Sequence, residues 1–197
     1  MIHPDTELRF VNQTIGYGVF ATRFIPRGTL LYVEDPLEIR IAPDNVLLQN
    51  PDYAEIIIKY SFVDPDGSYV ISRDLAKYVN HCCHYNTLGS AYGFEIAVRD
   101  IQPGEEITDD YASFTFEETM ELACHYPDCR QMLSPGDFDR FVEQWDADLK
   151  DALQYFPNVP QPLLKYMDAD DLAALMDYLT SGQNYRSMAT MKYNPSL

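Results

Sequence analysis

Short β-type runs, each closed by a turn signal, dominate the first 111 residues. That punctuation limits this part of the chain to a compact β-rich core. "RFVNQTIGYGVFAT" reads as extended segments around a glycine pair, and "IPRG" turns into the strand-like "TLLYVED". "YSFVDPDGSYVIS" is two β-rich runs joined by Pro-Asp-Gly, whose fixed proline φ and permissive glycine suit a hairpin. "SAYGFEIAVRD" alternates like a strand, "IQPGEE" turns, and "EITDDY" is a last short strand. "PDYAEIIIKY" has the proline start of a short helix, and "RDLAKYV" suits one or two helical turns.

The pattern changes after residue 115. "TFEETMELACHYPDC" reads as a helix ending in a cysteine pair. "GDFDRFVEQWDADLKDALQYF" and "DADDLAALMDYL" have helical apolar spacing and acidic first turns, with the Pro-rich "PNVPQP" between them. The tail "SGQNYRSMATMKYNPSL" is either an ordered arm or frayed, and the sequence contains no internal repeat.

Composition narrows the function classes. At 197 residues, 46% hydrophobic and 13% aromatic, the chain can fill the core of one domain with a modest helical annex. A net charge of −17 argues against direct nucleic-acid binding, because phosphates would be repelled. It suits a basic partner such as a lysine-rich peptide, or simply an acidic solvated surface. No hydrophobic run follows "MIHPDTELRF", so no secretory signal is expected, and no apolar stretch is long enough to span a membrane. Four cysteines in that context point to reduced thiols or metal ligands, with the cytoplasm as default compartment.

The densest chemistry lies at residues 78–86, "YVNHCCHYN". Read alone, it is a metal site, a redox pair, a nucleophile with its base, or a backbone crossing. A disulfide between adjacent Cys82 and Cys83 is disfavoured by geometry. Upstream, Gly16 and Gly18 flank Tyr17. They allow either a tight turn or bulge, or close approach of backbone to a ligand. The glycine fingerprint of dinucleotide folds is excluded, since no strand–glycine–helix unit follows.

Three strings then line up in order: "GYGVFAT", "KYVNHCCHYN" and "GEEITDDY". They resemble the SET-domain protein lysine methyltransferases over about residues 7 to 130. That family combines a Gly-x-Gly segment, an Asn-His-Ser-Cys-x-Pro-Asn segment and a segment ending (Tyr/Phe)-Asp-Tyr. The resemblance implies a mainly β fold with some α, the SET β-clip, with a knot-like C-terminal crossing and a helical C-terminal extension. It divides the chain into a SET domain at 7–115, a post-SET-like cysteine segment at 116–135 and an acidic helical extension at 136–197.

The resemblance also implies a site. S-adenosylmethionine would contact Gly16, Tyr17, Gly18, Asn80 and His81, the last two through backbone and amide groups. His81 reads as a structural hydrogen-bonding residue or, on the rival reading, an acid–base residue. Cys82 stands at the family's serine and is expected to be a small buried side chain. Tyr111 would be the central catalytic residue, aligning the methyl donor and the lysine amine. Tyr60 matches an aromatic of the lysine channel, with Phe62 as the alternative wall residue.

Cys83, Cys124 and Cys129 match three ligands of the family's post-SET zinc. Leu122 replaces the fourth, which leaves a tetrahedral site one ligand short. Either His84 or His125 completes it, or the metal has been lost. Asp109 replaces an aromatic of the lysine channel and is expected to turn toward solvent or a basic neighbour, because burying an unpaired carboxylate is costly. The function implied is transfer of methyl groups from S-adenosylmethionine to a protein lysine. The alternative is a catalytically weak SET-like module that binds a basic protein; a third reading is a structural or dimerisation protein built on the C-terminal helices.

Overall fold

The computed structural model describes residues 1–114, 119–124 and 126–193. Among the described residues, twelve strands and three α-helices follow one another along the chain. The strands are β1 (Thr6–Asn12), β2 (Gly16–Ala21), β3 (Leu30–Val33), β4 (Ile39–Ile41), β5 (Ser61–Val63) and β6 (Tyr69–Ile71), then β7 (Asn80–His81), β8 (Thr87–Gly89), β9 (Phe94–Ala97), β10 (Glu106–Asp109), β11 (Met120–Glu121) and β12 (Met132–Leu133). The helices are α1 (Pro51–Tyr60), α2 (Asp137–Leu153) and α3 (Ala169–Ser181).

Local chemistry accounts for several of the boundaries. Asn12 Oδ1 accepts from the backbone N–H of Thr14 and of Ile15, closing the β1–β2 turn, and Gly16 leaves it at φ +84°. Asn50 caps α1 by accepting from Asp52 N, with Pro51 at the first helical position. Asp168 caps α3, which ends on the left-handed Gly182. The Pro-Asp-Gly stretch joins β5 and β6 as an antiparallel hairpin.

The sheets fix what lies next to what. One has the order β1-β2-β10-β7, in which β10 runs antiparallel to β2 and parallel to β7. Two three-stranded antiparallel sheets, β3-β9-β8 and β4-β6-β5, complete the β-rich part. The architecture is the SET fold followed by C-terminal helices.

Those helices share the main core. Phe138, Trp145, Leu149 and Leu153 recur at helical spacing on one face of α2 and pack with Leu30, Leu88, Phe94 and Ile96 of the β3-β9-β8 sheet. A second cluster joins Val19, Ala21, Ile107 and Ala97, so adjacent residues of β9 serve different cores. The tail is an ordered arm through residue 193: Tyr185 Oη, Ser187 Oγ and Met188 N all donate to the Asp146 carboxylate.

One element differs from expectation. Met120–Glu121 is a strand, not part of a helix, and pairs antiparallel with Met132–Leu133. Pro127 cannot continue a helical ladder, and Gln131 adopts φ 64°, so the segment folds back as a hairpin-like loop. The "EITDDY" strand is therefore not the last. Residues 115–118 of the expected helix, and His125 among the expected ligands, lie outside the described residues.

Candidate active site

β10 organises the site because it lies between the glycine strand and the Asn-His strand. Thr108 pairs with Asn80 and Asp109 with His81, while Ile107 pairs with Val19 on the other side. The segment after β7 folds over β10 and is clamped to it by Asn86. That residue is fully buried; its Nδ2 donates to Glu106 O at 2.7 Å, and its Oδ1 accepts from Thr108 N at 2.9 Å.

On one face of β10 a small cavity of about 50 Å³ is lined by Ile15, Asn80, His81, Glu106, Thr108 and Cys124. Asn80 Nδ2 donates to Tyr17 O at 3.0 Å and to Glu106 Oε1 at 2.8 Å. Both amide hydrogens are thus engaged, and a ligand would meet the Asn80 Oδ1 and backbone. Gly18 lies in this cradle: a Cβ there would collide with Glu106 Oε1 and stand 2.9 Å from Asn80 Nδ2. The Tyr17 ring faces outward and is 51% exposed, so its contribution to the cradle is its carbonyl.

His81 is held by both ring nitrogens. Nδ1 accepts from Tyr111 N at 3.1 Å, which puts the ring proton on Nε2, 3.4 Å from Cys83 Sγ. Burial lowers its pKa to about 4 against the pull of Asp110. A neutral imidazole with both nitrogens engaged orients the loop and is not free to act as a base.

Tyr111 follows on the 3-10 turn that ends β10. Its hydroxyl donates to Val79 O at 2.7 Å, and its ring lies 5.6 Å from that of His81 and 6.0 Å from that of Phe114. Burial, then the nearby Asp109, Glu95 and Glu106, push its pKa upward, so it is a phenol at neutral pH. Phe62 stacks on Phe114 at 5.8 Å and so joins the aromatic row at Tyr111. Tyr60 belongs to a different row, packed edge-on against Tyr78 at 5.6 Å.

Asp109 departs from expectation. It does not turn toward solvent or a cation: it is 1% exposed, its Oδ1 accepts from Asp110 N at 2.6 Å, and its buried Oδ2 has no hydrogen-bond partner among the described residues. The strand's alternation drives it inward on the same face as the core residue Ile107. Its neighbour Asp110 takes the available cation instead, pairing with Arg130 and accepting from Trp145 Nε1 at 3.2 Å.

Across the loop, the Sγ atoms of Cys83, Cys124 and Cys129 all lie within 4.8 Å of one another. Cys83 and Cys129 are 3.7 Å apart, close to the roughly 3.8 Å edge of a tetrahedron with Zn–S near 2.3 Å. Backbone N–H groups of Arg130 and Gln131 donate to Cys83 and Cys129, as suits thiolates. Three thiol groups that could hold a metal ion are therefore assembled. His84 points elsewhere, with Nε2 at 2.9 Å from Asp128 and its ring stacked on Tyr126. Cys82 is 7% exposed, as expected, and all four cysteines are free thiols.

A protein-family model described as the SET domain matches residues 16–112, which hold all three motifs. The chain belongs to the SET-domain family. That family is typical of protein-lysine N-methyltransferases and uses S-adenosylmethionine. Among curated SET relatives, the "Variant-silencing SET domain-containing protein" of Plasmodium falciparum (isolate 3D7) is 30% identical over 143 residues, 64% of this chain and 5% of that protein. The "Histone-lysine N-methyltransferase set1" of Dictyostelium discoideum is 42% identical over 69 residues, 31% of this chain and 5% of that protein. The chain thus matches about one-twentieth of the length of either relative. The methyltransferase domain of human histone-lysine N-methyltransferase SETMAR has a TM-score of 0.45 at 16% identity, covering 68% of this chain and 58% of that one.

Asn86, Glu106, Asp110 and Arg130 are site residues that sequence reasoning did not single out. Asn86 closes the quoted central motif, and Glu106 and Asp110 lie within "GEEITDDY", so their signal was present. Arg130 has none, since it reaches Asp110 only through the fold.

Proposed function

We propose that this SET domain transfers methyl groups to a lysine side chain of a basic protein. The observation that carries the reading is the placement of β10, which brings together the Gly18–Asn80 cradle and the Tyr111 hydroxyl, bonded to the Val79 carbonyl next to Asn80. Gly16, Gly18, Asn80, His81 and the Tyr17 carbonyl would hold S-adenosylmethionine, which supplies a methyl group on a cationic sulfonium. The Glu106 carboxylate and the Asn80 carbonyl suit that positive charge.

Tyr111 then positions the amine. Its hydrogen is given to Val79 O, so its oxygen lone pairs are what it offers to an incoming lysine N–H. Phe62 and Phe114 form an apolar wall for the lysine stem, a channel that excludes water from the amine. Cys83, Cys124 and Cys129 would hold a zinc ion of purely structural role, tying the segment after the core to the Asn80 loop. The net charge of −17 favours a basic substrate.

A second reading, a binding module with little transfer, is favoured by one observation: the buried carboxyl of Asp109 where the family has an aromatic. Calorimetric titration with S-adenosylmethionine, followed by transfer of tritiated methyl groups onto a mixed protein extract, separates the two. Binding with labelled protein supports the enzyme; binding without label supports the module. No binding overturns the enzyme.

A further inference from the structure

Three separate parts of the chain meet at the Asp110 carboxylate. The residue is 3% exposed and immediately precedes Tyr111. Its Oδ1 accepts from Ala112 N at 3.1 Å, capping the 3-10 turn that carries Tyr111, and also takes the Arg130 Nη2 donor. Its Oδ2 accepts from Trp145 Nε1 at 3.2 Å. His81 Nδ1 lies 3.7 Å away but is occupied by Tyr111 N and donates nothing to it. The donors therefore come from the turn itself, from the residue after Cys129 and from the middle of α2.

A buried carboxylate keeps its place only while a cation and N–H donors compensate its charge. Each donor here is itself fixed. Arg130 gives its backbone N–H to Cys83 Sγ at 3.5 Å, and its guanidinium lies 4.7 Å over the Phe141 ring of α2. Trp145 is 1% exposed and packs edge-on against Phe138 at 5.5 Å. Tyr111 is held between these anchors: its N donates to His81, its O accepts from Phe114 N at 3.0 Å, and its hydroxyl reaches Val79 O. A carboxylate that loses one donor shifts, and the turn it caps shifts with it.

We propose that Asp110 is a positioning residue for Tyr111, and that Arg130 and Trp145 bring the cysteine segment and the C-terminal helix α2 into the machinery of methyl transfer. The proposal rests on the methyltransferase reading above. Asp110 acts through the turn: it sets where the Tyr111 oxygen meets the incoming amine. A displacement of about 1 Å at such a group costs up to about 100-fold in rate. On this account α2 is part of the scaffold of the active site, although the SET family match ends at residue 112, before the helix begins.

The test has two arms. Amide hydrogen exchange on the ligand-free protein should speed up about tenfold at Tyr111 and Ala112 in Asp110→Asn, Arg130→Ala and Trp145→Phe. Thr108, bonded to Asn86 Oδ1, should exchange at the wild-type rate. Equal acceleration at all three amides would mean a general loss of stability, and no acceleration would mean a turn that holds itself; either overturns the proposal. In the transfer assay the same variants should lower kcat by about 10- to 100-fold, with S-adenosylmethionine affinity and substrate KM within about twofold of wild type. Arg130→Ala enlarges a cavity of about 270 Å³ lined by Arg130, Phe141, Gln144 and Trp145. Free guanidinium ion at millimolar concentration should enter it and restore part of kcat in that variant, and none in Asp110→Asn. Lack of rescue would overturn the part given to Arg130. Should Asp110→Asn not fold, Trp145→Phe, which removes one donor and keeps an aromatic ring, decides alone. Wild-type kcat in the folded variants would overturn the proposal while leaving the methyltransferase reading intact. Absence of transfer by the wild-type protein would remove that reading, and the proposal with it.

Discussion

Asn86 and Thr108 hold each other twice: Asn86 N donates to Thr108 O at 3.0 Å, and Thr108 N donates to Asn86 Oδ1 at 2.9 Å. With the further bond to Glu106 O, one buried amide fixes the register of β10 against the loop that crosses it. Asn86→Ala strands Thr108 N and Glu106 O in the core. Leaving buried backbone groups unpaired costs about 1–3 kcal/mol each, so a loss of about 3 kcal/mol in denaturant unfolding is expected. A loss below 0.5 kcal/mol would mean the clamp carries little.

Gly18 and Asn80 make the second test. A methyl at position 18 displaces the Glu106 carboxylate and the Asn80 amide from each other. Gly18→Ala should weaken S-adenosylmethionine binding at least tenfold by calorimetry. Asn80→Ala should cost binding about 1–3 kcal/mol, because Tyr17 O and Glu106 lose their donor. Unchanged affinity in both folded variants would remove the cradle from the cofactor site.

Tyr111→Phe keeps the ring on His81 and removes only the hydroxyl. Cofactor affinity should stay within about twofold of wild type while kcat falls by about 10²-fold or more. Stability should drop by about 1 kcal/mol for the lost bond to Val79 O. Full turnover would return Tyr111 to a packing role.

The thiol cluster gives the fourth test. Elemental analysis should find close to one zinc per chain, and a chelator should speed amide exchange at β11 and β12 before the β-rich core responds. Cys129→Ser should reproduce the chelator's effect. A metal-free protein insensitive to chelator would leave the three sulfurs as packing atoms.

Glu95 makes stability depend on pH. Its folded pKa of about 7 lies above its ordinary value of 4.5, so the folded state holds a proton that the unfolded state releases. The stability this provides is complete below pH 4.5 and is lost as pH rises through 7. Glu95→Gln has no charge to bury. It should match the wild type near pH 4.5 and exceed it by roughly 2 kcal/mol above pH 7, after allowance for partial exposure. A constant difference across that range would place the carboxylate in water.

Local pattern carried much of this structure. The β-runs, the Pro-Asp-Gly hairpin, the α1 cap and the three ordered motifs are short-range signals, and each lies where its own chemistry puts it. The helix expected from Thr115 failed at Met120–Glu121 because pairing with Met132–Leu133 overrides propensity. No short window reveals partners such as Leu133 for Met120. Asp109 faces inward for a related reason: burial, with Glu95 and Asp110 nearby, favours its protonated form, so no charge has to be buried. Neither Tyr60 nor Phe62 could be preferred from spacing alone; the stack on Phe114 distinguishes them.

The position of β10 has a consequence for how the protein comes into being. During synthesis the ribosome releases β2 and β7 before the strand that belongs between them. The nascent chain must therefore keep two unpaired edges apart, with a vacancy that only a later segment fills. Contacts between such distant stretches are slow to form, because the intervening chain must surrender its freedom first. Both the cradle and the Tyr111 hydroxyl depend on that insertion, so neither is in place in a chain that stops before β10. The protein would stay catalytically silent until β10 has slid into place.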